Sequence, residues 1–284
     1  MEYEEPEYLL DDFCDLIESH ASLETIQQFC VKNPIFTQTH IIDDCDFLFS
    51  FSCKKGHLDI VKYIFEINSY AKNNINISIY EEEPFRWACE NGCILTAKWL
   101  LSIKPDINVS AIGDYAFSHA CRYGYIDVAQ WLLTVKHDID ISANDDFAFC
   151  HSCGNGHIKV AQWLLSIKPD INVHANNNCA FQIACQNGHI EVAKWLFEVK
   201  PNIDLSIYGE GPFRCVCKKG YIKIAKWLLE VKPTIDICVE DNYPFIISCE
   251  NGHLELAQWL ATMNPNYKLH VNDDGLIEYY IIKE

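Results

Sequence analysis

A glycine that returns at a fixed interval constrains this chain more than any other feature. Gly56, Gly92, Gly124, Gly156, Gly188, Gly220 and Gly252 are separated by 36 residues once and then by 32 residues five times. Seven residues before each stands a phenylalanine: Phe49, Phe85, Phe117, Phe149, Phe181, Phe213 and Phe245. Three residues before each stands a cysteine: Cys53, Cys89, Cys121, Cys153, Cys185, Cys217 and Cys249. Seven residues after it comes Trp99, Trp131, Trp163, Trp195, Trp227 or Trp259, with Tyr63 in the earliest copy. Thirteen after it comes Pro105, Pro169, Pro201, Pro233 or Pro265, with His137 as the exception. A period of this size marks a repeat architecture, here seven copies of one structural unit.

Within a copy the apolar spacing predicts two short helices. Phe181, Ala184 and Cys185 fall at i, i+3 and i+4, and Ile190, Val192, Ala193, Leu196 and Phe197 form a second helical stripe. Gly188 lies between them, where a residue free to take positive φ can close one helix and turn the chain. Lys200-Pro201 ends the second helix, because proline cannot continue it and pushes the preceding residue out of the α region. The Asn-, Asp- and Gly-rich stretch that follows is turn chemistry and predicts an extended finger.

This pattern resembles the ankyrin repeat, a unit of about 33 residues with a T-P-L-H-x-A-A-x-x-G-H motif ahead of an apolar second helix. Pro84-Phe85, Pro212-Phe213 and Pro244-Phe245 stand where the family has Pro-Leu, and Ala184-Cys185 where it has Ala-Ala. Gly56-His57, Gly156-His157, Gly188-His189 and Gly252-His253 match its Gly-His pair. The steady departures are Phe for Leu, Cys for the second Ala, Trp in the second helix, Lys-Pro at its end and a finger one residue short. They are most similar to the ankyrin sets of giant DNA viruses of amoebae. The resemblance implies an all-α ankyrin-repeat solenoid of helix-turn-helix units with finger loops, about seven full repeats plus terminal caps. Its implied role is non-enzymatic protein binding.

The expected organisation is a disordered acidic start at 1–7 and a single solenoid over 8–284. Within it, 8–40 forms an N-terminal capping repeat, 41–267 seven repeats and 268–284 a C-terminal capping helix, with Ile277 at the phenylalanine position. In the first cap, Ala21 in place of the glycine puts Pro34 at its usual offset and Leu23, Ile26, Phe29 and Cys30 on one face, without the Phe and Cys anchors. The four extra residues ahead of Gly92 map to 68–74 and predict a loop. The unbroken register from Gly92 to Gly220 predicts a stack with no domain boundary.

The fifteen cysteines are an odd number in a long chain whose first residues have neither the basic nor the apolar region of a secretory signal. Stacked helices lie about 8 to 10 Å apart, and a disulfide needs Cα atoms within about 7 Å. All fifteen are therefore expected to be free thiols in a cytoplasmic, reducing compartment. Cys53/His57, Cys153/His157, Cys185/His189 and Cys249/His253 use the vocabulary of zinc. The turn glycine separates each pair, however, and His gives way to Cys93, Tyr125 or Tyr221 elsewhere. A small buried cysteine is the preferred reading, so no cofactor, metal or catalytic residue is assigned. A Cys/His metal protein or enzyme is the competing class, and an adaptor for host protein degradation a third reading that would need a recruiting motif. The recurring tryptophans are read as covering the neighbouring helix. Asn76, Asn108, Asn172, Asp140, Asp204 and Asp236 are read as turn residues of the fingers.

Forty acidic against 22 basic residues give a formal charge of −18, a field that repels phosphate backbones and anionic lipid. No apolar run approaches the length of a membrane span. Nucleic acid and membrane are thus poor candidates, and a protein partner with a basic patch, bound by a monomer, is favoured. Compared with one another, the copies repeat their core positions and vary just before each glycine and in the fingers. Tyr115, Arg122, Tyr123, Phe147, Lys218, Lys219 and Tyr243 are the candidate binding residues, because aromatic and Arg side chains usually carry binding energy. In the ankyrin family the fingers and first-helix ends form the concave binding side.

Overall fold

In a computed structural model, which describes residues 6–42, 45–72, 74–201, 203–205 and 207–282, each recurring glycine joins two helices. Two compact units, Met1–Asn144 and Asp145–Glu284, stand where the unbroken register predicts one stack. The first begins with α1 (Pro6–Glu18), α2 (Leu23–Lys32), a short α3 (Pro34–Phe36) and a π-helical segment at Thr37–Ile42. Three pairs follow: α4 (Cys45–Lys55) with α5 (Leu58–Tyr70), α6 (Ile79–Glu90) with α7 (Ile94–Ile103), and α8 (Ala111–Arg122) with α9 (Ile126–Val135). The second unit holds α10 (Ala143–Gly154), whose first two residues precede the boundary, with α11 (Ile158–Ile167), and α12 (Ala175–Gln186) with α13 (Ile190–Val199). It continues with α14 (Ile207–Lys219) and α15 (Ile222–Val231), α16 (Val239–Glu250) and α17 (Leu254–Met263), and a hairpin of β1 (Tyr267–Val271) and β2 (Ile277–Ile281).

The turn glycine does two things. At Gly92 φ is +75°, the glycine N–H donates to Cys89 O at 3.2 Å, and Cys93 N–H reaches back to Ala88 O at 2.8 Å, which closes the first helix. A Cβ added there would come within 2.5 Å of the Tyr125 ring of the next copy. Equivalent approaches are 2.6 Å to His189 at Gly156 and 2.9 Å to Tyr221 at Gly188. In five copies the residue after the glycine, Cys93, Tyr125, His189, Tyr221 or His253, packs on the bare backbone of the glycine in the copy before it.

The anchors fill the core. Every recurrent phenylalanine and every recurrent cysteine is buried. The phenylalanine ring of one copy meets the tryptophan of the next: Phe49 with Trp99 at 6.4 Å and Phe85 with Trp131 at 6.3 Å in the first unit, Phe149 with Trp195 at 6.3 Å and Phe181 with Trp227 at 6.2 Å in the second. The tryptophans are half-buried, and Lys98 and Lys226 lie over the Trp131 and Trp259 rings. In these contacts each indole covers its neighbour, as the sequence suggests.

The first helices open on a turn of left-handed residues: Tyr80, Glu81 and Glu82 in α6, Ile112, Gly113 and Asp114 in α8, and Glu240, Asp241 and Asn242 in α16. In four copies the acidic residue ten positions before the glycine accepts the backbone N–H of the next finger. Asn76 donates to Asp46 at 2.8 Å, Asn108 to Glu82 at 3.3 Å, Asp140 to Asp114 at 3.1 Å and Asn172 to Asp146 at 3.3 Å. The finger Asn or Asp in turn accepts from the N–H two residues on, in Ser78, Ser110, Ser142, His174 and Cys238. The turn role anticipated for Asn76, Asn108, Asn172, Asp140 and Asp236 is what these bonds provide.

Several expectations are corrected. Residues 1–5 of the expected disordered start lie outside the described residues, and α1 already begins at Pro6. In the first cap His20, not Ala21, takes the left-handed turn, with φ 58° and Ala21 N–H on Leu16 O at 2.9 Å. Phe13 is then the phenylalanine anchor, fully buried, and Ile17 stands at the cysteine position. One extra turn residue, before the N-cap Ser22, restores the second-helix register that pointed to Ala21. The inserted 68–74 stretch does not begin as a loop: α5 has 13 residues against 10 in α7, and buried Asn68 donates to Ile41 O and Ile64 O.

The expected C-terminal helix is the β1–β2 hairpin instead. Asn272 Oδ1 accepts from Asp274 and Leu276 N–H, and Gly275 at φ +80° turns the chain between strands. Tyr267 stacks on Phe245 at 4.1 Å and Tyr279 meets it edge-on at 5.9 Å, so two tyrosines cover the last phenylalanine where a tryptophan does elsewhere. Not all cysteines are free either: Cys150 and Cys179 form a disulfide between α10 and α12, with Cα atoms 6.1 Å apart. The 8 to 10 Å spacing holds between helix axes, and facing residues approach more closely. The other thirteen, including the seven periodic ones, are free.

Three outcomes follow from this packing. Gly92→Ala should cost about 1–2 kcal/mol from its left-handed φ and about 1–3 kcal/mol more from overpacking against Tyr125, whereas Gly252→Ala, with nothing within 4 Å, should cost only the first part; urea unfolding of both variants measures the difference. Asp114→Ala removes the acceptor for Asp140 N–H and for the Ser110 hydroxyl, and should lower stability by about 1–3 kcal/mol, with Asp114→Asn intermediate, as read by thermal unfolding. Burial pushes the thiols of Cys53, Cys89, Cys121, Cys153, Cys185 and Cys217 well above their ordinary 9.0 and that of Cys249 to about 12. Burial lowers His57, His119, His157 and His189 below 6.5. Above pH 9 the unfolded chain releases thiol protons that the fold retains, and below pH 6.5 it takes up histidine protons that the fold resists, so stability should form a plateau between these limits and fall on either side. A midpoint still rising between pH 9 and 11 would contradict this.

Candidate protein-binding face

The first helices carry a column of residues nine and five positions before each glycine, which pair at i, i+4 on one side. In the first unit these include Phe47 and Phe51 on α4, stacked at 5.9 Å, Glu83 and Trp87 on α6, and Tyr115 and His119 on α8, stacked at 3.6 Å. In the second unit they include Phe147 and His151 on α10, 4.0 Å apart, Cys179 on α12 and Tyr243 on α16.

Three of the sequence-derived candidates come together on α8. Tyr115 is half-buried. Its hydroxyl donates to Glu90 Oε2 at 2.9 Å and its ring lies under Arg86 at 4.9 Å. Burial and the bond to Glu90 push its phenol up to about 12. Tyr123 is 41% exposed at the end of α8, and the Arg122 guanidinium lies over its ring at 5.3 Å. The others belong to the second unit. Phe147 sits on α10 against His151. Lys218 and Lys219 are exposed at the end of α14, where Lys218 O accepts from Asn251 Nδ2 at 2.9 Å and from the His253 ring at 3.0 Å. Tyr243 on α16 lies under Arg214, whose guanidinium also pairs with Glu240. Tyr115, Phe147 and Tyr243 are therefore residues of the first helices, not of the fingers where the sequence reading placed them.

Sequence reasoning missed Arg86, Arg214 and Trp87. A signal was available: the residue six before one glycine pairs with the residue nine before the next. That register holds Arg86 with Tyr115, Arg214 with Tyr243, and the Cys150–Cys179 bridge.

The Cys/His pairs do not assemble a metal centre. The cysteine of each pair is in the core, while His189 lies against the preceding glycine and His57 caps α5. Among the described residues no group of three or more His, Cys, Asp or Glu side chains is placed to hold a metal ion. Burial holds the periodic thiols in the neutral form, opposite to what a ligand or nucleophile needs. No helix among the described residues is long and apolar enough to cross a membrane.

Two family models match the chain: ankyrin repeats in many copies over residues 85–133, and ankyrin repeats in three copies over residues 117–208. No curated protein matches it. The matched stretches contain the helix pair, the left-handed glycine and the Phe–Trp contact described above, and the same unit recurs on both sides of them. Residues 85–208 match ankyrin repeats, and the described helix pairs form an all-α repeat solenoid.

Proposed function

We propose that this chain is a non-enzymatic scaffold that holds a protein partner on its first-helix face, the side that is concave in ankyrin proteins. Ankyrin repeats generally mediate protein–protein interaction. The observation that carries the reading is the contrast between columns of equivalent residues. The columns seven and three positions before each glycine repeat Phe and Cys and are buried, whereas those nine, five, two and one before it change from copy to copy and hold Tyr, Trp, Phe, His, Arg and Lys at partly exposed positions. Tyr115, Arg122, Tyr123, Phe147, Lys218, Lys219 and Tyr243 all belong to these variable columns. Thirteen free cysteines suit a reducing, intracellular setting, and the formal charge of −18 steers basic proteins toward the chain at long range.

Replacing Tyr115, Arg122, Tyr123 and Phe147 together by Ala should abolish capture of partners from a cell lysate, since truncating one central aromatic or Arg anchor costs about 2 kcal/mol or more. The circular dichroism should be unchanged. Lys159→Ala with Lys223→Ala, exposed on α11 and α15, should leave capture intact. The reverse result would move the interface to the second helices.

A further inference from the structure

Cys150 and Cys179 are the one joined pair among fifteen cysteines, and they occupy the variable columns of the first-helix face. Cys150 stands six positions before Gly156 on α10 and Cys179 nine before Gly188 on α12, both within the second unit. The same register holds Arg214 against Tyr243 further along that unit and Arg86 against Tyr115 in the first, so the fold supplies a facing pair here and needs no covalent bond in it. The junction that the bridge crosses is also held without it. Phe149 meets Trp195 at 6.3 Å, Asn172 N–H donates to Asp146 at 3.3 Å and Asn187 Nδ2 donates to Gly154 O at 2.7 Å. Ile183 packs on the bare backbone of Gly154, where a Cβ would come within 2.5 Å of it.

The two sulfurs differ from the other thiols in what they can reach. Cys150 is 5% exposed and Cys179 half-buried, so a small thiol arriving from solvent meets the Cys179 sulfur first. Cys153 and Cys185 on the same helices are fully buried, and burial pushes their thiols well above the ordinary 9.0. Exchange proceeds through the thiolate, so these two stay out of it. Cys93 and Cys215 also neighbour other thiols, but those are Cys53 and Cys89 in one case and Cys185 and Cys217 in the other, all fully buried and held neutral. Four of the thirteen free thiols, Cys14, Cys93, Cys215 and Cys238, are half-buried and still unjoined. Cys150 with Cys179 is thus the pair that combines facing positions with a sulfur open to solvent.

We propose that Cys150 and Cys179 are a reversible redox couple, which ties the α10 and α12 copies together when oxidised and releases them when reduced by a small thiol of the glutathione class. Opening consumes two such thiols. The first, as thiolate, attacks the Cys179 sulfur; the bond to Cys150 breaks, Cys150 leaves as thiolate and takes up a proton, and a mixed disulfide remains on Cys179. The second thiolate attacks the small-molecule sulfur of that mixed disulfide and releases Cys179, so two small thiols are oxidised to one disulfide while the bridge is reduced to two thiols. Closing runs the same steps backwards, with the small disulfide as oxidant. The two cysteines are 29 residues apart in sequence, and α11 and a finger lie between them. That stretch gains less freedom on opening when its ends are joined, so the oxidised form opens there less often.

The full chain, equilibrated without oxygen in buffers of rising glutathione disulfide over reduced glutathione, tests this. After free thiols are trapped in denaturant, peptide mass mapping should find all fifteen cysteines as thiols at the reducing end and the single Cys150–Cys179 bridge at the oxidising end, with full return when the buffer is reversed. Hydrogen exchange of the α11 amides should be about tenfold faster or more in the reduced form, with α15 and α17 unchanged. Cys150→Ser with Cys179→Ser should exchange like the reduced form in either buffer. A bridge that survives excess reduced glutathione, oxidation of a different pair, equal exchange in the two forms, or a reduced chain that loses its helical circular dichroism would each overturn the proposal. Neither readout needs a partner, so failure of the first-helix face to capture a protein and failure of this couple are separate results.

Discussion

Each helix pair in this chain leaves one apolar side uncovered, and the contact that closes it lies between the phenylalanine of one copy and the tryptophan of the next. Phe85 and Phe181 are fully buried, and Trp131 and Trp227, one copy on, lie against them. The glycine turn and the carboxylate ten residues before it work in the same direction. The first lets His189 or Tyr125 pack on bare backbone, and the second ties the next finger through its N–H. All three contacts run from one copy to its neighbour, which is how a repeat array acquires a continuous core. The same logic explains the two ends. Phe13 with Ile17 supplies the first neighbour, and Tyr267 with Tyr279 covers Phe245, where no further tryptophan follows.

Because the core is carried by so few positions, the remaining first-helix positions are free to differ. Between neighbouring copies they meet in one register, which is an Arg–Tyr pair in two places and a cysteine bridge in another. Such substitutions change the chemistry of the face without touching the packing beneath. The face of the first unit is the more aromatic and carries its cations on rings, set within a strongly acidic stretch of chain. Net charge alone describes approach at a distance, while the arrangement of Lys54, Trp87, Arg122 and Tyr123 describes what can settle there.

Much of the fold was legible beforehand, because a residue type that recurs every 32 positions reports a recurring environment. The helix pair, the left-handed glycine, the buried cysteines and the cover supplied by the tryptophans could all be read that way. The candidate face was legible in part. Variation between copies singled out Tyr115, Arg122 and Tyr123, but Arg86 and Trp87 escaped, since their importance lies in rings and carbonyls brought to them from other elements. The acidic ladder through Asp114 and Asp146 escaped for the same reason: its partner is a backbone N–H about one copy away, which leaves no mark in local composition.

The terminal elements show where the sequence by itself stopped. It determined the repeat, its two helices and its turns, because those depend on local propensity and on spacing within one copy. Only the tertiary structure decided that His20 and not Ala21 turns the first pair, that residues 267–281 form a hairpin and not a helix, and that Cys150 reaches Cys179. At those places the local pattern permits more than one outcome, and the choice falls to whichever brings a side chain onto a neighbouring apolar surface: Phe13 into the first core, Tyr267 onto Phe245, and facing residues of α10 and α12 closer than their helix axes.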